Sequence, residues 1–165
     1  MGSKRVGLAR LEALIENLKR EINLNGATLV GQRRAVKAFT SNATTDVLEI
    51  EDSGKIIFVD ASTASVTHNI SLPTPVGNEG LEYIIVLSAA AHSGTKVLVD
   101  SLIATGIKGF LKVLAGCGIA NTLAHSNRKL GFGNSANLGS TIHLVSDGNV
   151  YHVVEAVSNE AFVTS

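Results

Sequence analysis

Between Asp46 and Val157 the chain breaks into short runs rich in Val, Ile, Leu and Thr, each stopped by Gly, Asn, Asp or Ser. Runs of this length suit strands, whose side chains alternate between two faces. The pattern predicts strands at Val47–Ile50, Lys55–Asp60, Ser65–Ser71, Leu81–Ser88, Lys96–Ser101, Gly109–Leu114, Ser140–Val145 and Val150–Val157. Short strands at this spacing, with no helical period between them, argue for a sandwich or barrel and against βαβ units. We therefore expect a mainly β fold, a β-sandwich or jelly-roll-like domain over residues 41–165. The stretch from Gly116 to Asn137, rich in Gly, Asn and Ser, reads mainly as loop. No repeat at a fixed period stands out, which argues against a solenoid.

The sharpest local signal is Ser146-Asp147-Gly148-Asn149. Asp-Gly between two apolar runs is a two-residue hairpin turn. With Asp147 and Gly148 in the turn, His143 faces His152 and Val145 faces Val150. Ile142 and Leu144 then lie on the other side with Tyr151 and Val153. Both faces of this strand pair are partly apolar, as a sandwich inside an oligomer would need.

Residues 1–40 form a different region. Leu8, Leu11, Ile15, Leu18 and Ile22 are spaced three, four, three, four, the a and d positions of a heptad, and Leu14 at g widens the stripe. Glu16 and Arg20 make an i,i+4 pair in the favourable order, and Asn25-Gly26 supplies a helix stop. An isolated helix of this length is marginal in water, so it needs a partner. That partner is either its own domain or other copies. The narrow, regular stripe predicts a coiled coil, with a homotrimer favoured over a dimer.

Charge divides along the same line. Residues 1–40 hold eight basic and three acidic groups, +5, while residues 41–165 hold six basic and eleven acidic, −5. A basic arm precedes an acidic body. The arm can match an acidic neighbour or its own body, for instance the cluster Asp46, Glu49, Glu51 and Asp52. Arg33, Arg34 and Lys37 form a knot after the helix, and Lys4 and Arg5 a tether before it. The knot lacks interleaved aromatics for stacking on bases, and the acidic body would repel phosphate, so nucleic acid is not the expected partner.

Few residues stand in a pattern that chemistry would need. Gly131-Phe132-Gly133-Asn134-Ser135-Ala136 matches the loose G-x-G-x-x-A form of a dinucleotide loop. That fingerprint needs a strand before, a helix after and an acidic residue about twenty positions on. The segment after it is strand-like, so a plain loop is expected. No P-loop, nucleophile elbow or His-Glu-x-x-His string occurs. His68, His92, His125, His143 and His152 show no local metal-ligand spacing, and only the His143/His152 pair comes together in the expected register. Cys117, the single cysteine, excludes an internal disulfide. With no secretory pattern at Met1–Leu8 and no apolar run long enough to span a bilayer, a soluble protein made in a cytoplasm is expected. The reading is a non-enzyme with no cofactor and no metal.

Two stretches carry a resemblance. One is His68-Asn69-Ile70-Ser71-Leu72-Pro73 followed by Gly80-Leu81-Glu82-Tyr83-Ile84-Ile85-Val86. The other runs from Leu138 through Ser146-Asp147-Gly148-Asn149 to Val153. Together they resemble the β-domains of small virion structural proteins of tailed bacteriophages, over roughly residues 55–157, though many relatives have Trp where Tyr151 stands. The resemblance implies a head-decoration, or cement, protein in the virion, made in the host cytoplasm. Such proteins bind a capsid surface as oligomers, commonly trimers. Leu8, Leu11, Ile15, Leu18 and Ile22 would then oligomerise, and Lys4, Arg5, Arg33, Arg34 and Lys37 would contact capsid protein or another virion protein. The alternative is a trimeric tail-fibre or spike module that binds a host receptor or glycan. The absence of Trp and the aromatic share of 4 % argue against it.

Overall fold

The computed structural model describes residues 34–115 and 118–164. The heptad residues Leu8, Leu11, Ile15, Leu18 and Ile22, the cations Lys4, Arg5 and Arg33, and Cys117 lie outside the described residues. The described chain is mainly β, with no α-helix among the described residues. Its strands are β1 (Val36–Thr40), β2 (Thr45–Val47), β3 (Ile56–Asp60), β4 (Thr67–Ser71), β5 (Glu79–Ala89), β6 (Lys96–Asp100), β7 (Ile107–Ala115), β8 (Gly118–Asn127), β9 (Lys129–Phe132), β10 (Thr141–Asp147), β11 (Tyr151–Ser158) and β12 (Val163–Thr164). They form two mixed sheets: seven strands in the order β1-β3-β5-β10-β11-β7-β8, and five in the order β12-β9-β6-β4-β2.

The first six strands alternate between the sheets. β1, β3 and β5 run parallel in the larger sheet, and β2, β4 and β6 run parallel in the smaller one. A parallel pair cannot be joined by a tight turn and needs a crossover, usually a helix. Here each crossover is a strand of the other sheet, so residues 36–100 wind as a two-sided parallel coil. The expectation against a solenoid is corrected for this segment. Val36 lies beside Ile56 and Ile56 beside Ile84, steps of 20 and 28 residues, while Thr45 lies beside Asn69 and Thr67 beside Lys96, steps of 24 and 29. Turns of unequal length leave no fixed period in the sequence. The parallel pairs also depart from the antiparallel order of a jelly roll.

Antiparallel strands close the far end of the coil, β10 against β5 and β9 against β6. Beyond β10 the larger sheet continues through β11 to β7, a parallel pair, and ends on the β7–β8 hairpin. Inward residues of both sheets join one hydrophobic cluster. Ile57, Val59, Tyr83, Ile85, Ile142, Leu144 and Tyr151 come from the larger sheet, and Ile70, Val97, Val99, Leu130 and Phe132 from the smaller. The alternation is strict in β5, where Leu81, Tyr83, Ile85 and Leu87 are buried and Glu82, Ile84 and Val86 are only half-buried.

Several local expectations are corrected. The stretch from Gly116 to Asn137 is not mainly loop, because it contains β8 and β9. Residues 36–40, grouped by sequence with the N-terminal arm, form β1 within the compact unit Arg34–Ser165. The run Val47–Ile50 keeps only its first residue in a strand, and a short 3-10 helix occupies Ile50–Asp52. The hairpin turn sits one residue later than expected. Asp147 N–H donates to the Val150 carbonyl at 3.1 Å, so Gly148 and Asn149 occupy the turn. Gly148 has φ +88°, the left-handed position that a type II′ turn gives to glycine. His152 therefore faces Val145, while a bulge between His143 and Leu144 sets His143 opposite Glu155.

Gly131 shows how tightly β9 meets β6. A Cβ there would stand 2.2 Å from the Val97 carbonyl oxygen and 2.6 Å from a Leu98 methyl. The first neighbour is backbone inside a paired strand and cannot yield. We expect Gly131→Ala to destabilise the domain by at least about 2 kcal/mol through overpacking. Thermal unfolding followed by circular dichroism checks this, and an unchanged midpoint would show that β9 can move away from β6.

Candidate functional site

Of the basic knot, Arg34 and Lys37 fall among the described residues. Lys37 is engaged within its own domain. Its Nζ lies 2.5 Å from Asp52 Oδ2, and 5.3 Å from the centroid of the Phe39 ring. Asp52 is only 4 % exposed and also takes Lys55 Nζ on its other oxygen at 2.8 Å. The Glu49 N–H donates to Oδ2 at 3.0 Å, closing the first turn of the 3-10 helix. Burial alone would raise the Asp52 carboxyl. The Glu49 N–H and the two ammonium groups outweigh it and hold the pKa at about 2. This is the match of basic arm to acidic cluster that the charge split allowed.

Arg34 is half exposed, with Nη1 3.5 Å from Glu82 Oε1. The same oxygen meets His143 Nε2 at 2.8 Å. Glu82 therefore gathers the Arg34 guanidinium from the entry to β1 and the His143 ring from β10. A second network sits on the smaller sheet. Arg128 grips Asp100 with Nε at 2.7 Å and Nη2 at 2.9 Å, and Lys129 Nζ stands 3.5 Å from the same carboxylate. Burial works to raise Asp100, but Arg128 and the Leu102 N–H bring it below the usual carboxylate range. On the hairpin, Asp147 accepts the Val150 and Asn149 N–H groups, each at 2.8 Å, and meets His152 Nε2 at 2.7 Å.

The expected pairing of His143 with His152 is thus replaced by two separate His–carboxylate contacts. His68 and His125 are buried, and burial lowers the pKa of both. His68 lies on the core side of β4. Its Nδ1 accepts the Asn42 N–H at 3.3 Å, and its Nε2 stands 3.4 Å from Asp46 Oδ2. The Gly131–Ala136 segment leaves β9 through a turn and enters β10 with no helix between them. Its glycines serve close packing, Gly131 against β6 and Gly133 against Ala161. Among the described residues no group of three or more His, Cys, Asp or Glu side chains is placed to hold a metal ion. No described helix is long and apolar enough to cross a membrane.

The two stretches that carry the resemblance meet in space. β10 pairs with β5, and the Tyr151 hydroxyl donates to the Pro73 carbonyl at 2.9 Å. Tyr151 packs edge-on against Tyr83 with ring centroids 6.1 Å apart.

Sequence reasoning saw two apolar faces only at the β10–β11 hairpin and missed the rest of the outer face of the seven-stranded sheet. Ile56 and Phe58 of β3 point away from the core beside Ile84 and Val86 of β5, and Val36 of β1 continues the first row at 58 % exposure. Across the sheet, Phe110 on β7 is 65 % exposed and Val154 on β11 is 60 % exposed. The available signal was the unbroken apolar run Ile56-Ile57-Phe58-Val59. A strand solvated on one face alternates, whereas a strand covered on both faces reads as a continuous hydrophobic run.

No protein-family model matches this chain, and no curated protein matches it.

Proposed function

We propose that this protein is a non-enzymatic virion structural component that binds a capsid surface as an oligomer, in the manner of a head-decoration protein. The two sheets are read as the layers of a sandwich, preceded by a coiled coil at residues 8–22. The observation that carries the reading is the use made of the ionisable side chains. Asp52, Asp100 and Glu82 each bind a Lys or Arg of the same domain, and Asp147 binds His152, joining neighbouring segments. Such pairs stiffen a fold, and in this arrangement they do not converge as an acid and a base around a substrate. The resemblance to phage β-domains and the basic arm supply the capsid as partner. Capsid contacts fall to Lys4, Arg5, Arg33 and Arg34, with Lys37 acting through the Asp52 network that orders the start of β1.

Rim charges set encounter rate and salt sensitivity more than residence time. We expect Arg33→Glu with Arg34→Glu to slow association with undecorated phage shells at least ten-fold at low salt, and to flatten the salt dependence. Stopped-flow or surface-resonance association rates measure this. Association indifferent to both the substitutions and ionic strength removes the basic-arm mechanism. Wild-type protein that ignores shells but binds host-surface glycans transfers the case to the tail-fibre reading.

A further inference from the structure

We infer that the outer face of the seven-stranded sheet is an interface for a second copy of this chain. The inference deepens the oligomeric reading above and rests on it. The parallel part of the sheet supplies the first argument. Strands that run parallel are normally covered on both faces, and β3 with Ile56-Ile57-Phe58-Val59 and β5 with its run from Tyr83 to Leu87 obey this in sequence. Phe58 and Val86 lie side by side on one outward row and Ile56 and Ile84 on the next, all four partly exposed.

Area supplies the second argument. From β1 to β7 the face crosses six strands. At about 4.8 Å between strands and roughly 20 Å along them, its footprint is about 500 Å². Counting its polar positions as well, two such faces remove about 1,000 Å², the threshold for a specific interface.

Charge selects the occupant. The face carries both signs at exposed polar positions, Glu155 on β11 against Lys108 and Lys112 on β7, so two copies can set opposite charges against each other. A membrane surface or nucleic acid would call for a single sign. The chain adds a further link, because Ile22, the last heptad position, precedes Val36 by only 14 residues. An extended segment of that length spans at most about 50 Å, so copies joined through the heptad would hold their sheets at high effective concentration.

The test uses the full chain with Cys117→Ser, carrying Val86→Cys on the proposed face or Lys96→Cys on the smaller sheet, where Lys96 is exposed. Each is treated at micromolar concentration with a short bis-maleimide, beside light scattering of the untreated protein. The expected result is an oligomer in which Val86→Cys cross-links between chains and Lys96→Cys does not. Phe58→Lys should raise the dissociation constant at least ten-fold, and should it fail to fold, the cysteine pair still decides. An oligomer in which Val86→Cys reacts freely with a monofunctional maleimide and never cross-links overturns this face while leaving self-association intact. A monomer overturns both, and a monomer in which Val86→Cys is protected assigns the cover to the chain's own residues. Cross-linking through Val86→Cys without binding to any shell upholds the face and removes only the capsid partner.

Discussion

Tyr83→Ala should lower the unfolding free energy by about 3–5 kcal/mol, whereas Tyr83→Phe should lower it by about 1 kcal/mol. Tyr83 is fully buried and is one of the largest side chains in the core. Its ring meets Tyr151 at an interplanar angle of 63°, an edge-to-face contact. Its hydroxyl donates to the Glu49 carbonyl at 2.9 Å, tying β5 to the start of the 3-10 helix. Alanine removes the ring and opens a cavity between the sheets. Phenylalanine keeps the ring and leaves one carbonyl without its partner. Urea unfolding of the three proteins measures the split. A small loss with alanine, or equal losses in both variants, contradicts the placement of this ring at the centre of the core.

Acid should weaken the domain in two windows. The Asp52 carboxyl is held at about 2, against an ordinary value of 3.8. A lowered carboxyl contributes stability that is complete above the unfolded value and lost as pH falls through the folded one. For Asp52 that loss runs from about pH 4 to pH 2 and amounts to roughly 2 kcal/mol. Asp100 acts in the same direction. His68 and His125 act earlier. Burial lowers both, so the unfolded chain takes up their protons first, and stability begins to fall below about pH 6.5. Asp52→Asn should be less stable at neutral pH and show a shallower decline below pH 4. Equal slopes for wild type and variant in that window would falsify the role given to Asp52.

Sequence pattern located most interior strands, though not β9, whose four residues Lys129–Phe132 sit in a stretch rich in Gly and Asn. β3, β4, β5, β6, β10 and β11 each lie between two hydrogen-bonded neighbours, and each was legible from apolar runs and their turn residues. β8 was not. It is an edge strand paired only with β7, and its sequence Gly118-Ile119-Ala120-Asn121-Thr122 carries residues common in turns. β1 is the opposite edge, and its Lys37 drew it toward the basic arm in sequence. The parallel winding was hidden because register between distant segments leaves no local mark. The hairpin register slipped because Asp-Gly and Gly-Asn are both acceptable turn pairs, and the bond from Asp147 N–H to the Val150 carbonyl separates them. Of the candidate site, the likeness in charge between Arg34 and Lys37 concealed different surroundings. Lys37 lies beside a buried carboxylate, and Arg34 beside a partly exposed one.

The closing of the coil by later strands governs how the chain can fold during synthesis. β5 and β6 each keep one unpaired edge until β10 and β9 arrive to cover them. β6 ends at Asp100 and β10 ends at Asp147, so 47 residues must still be made. At about 5–20 residues per second, that interval is roughly 2–10 s. The β6 edge stays open until β9 is made and the β5 edge until β10 is made, and throughout the interval the nascent chain presents an incomplete core beside other copies of itself on the same message. Folding is therefore late and dominated by contacts distant in sequence, a regime of slow rates and exposure to aggregation.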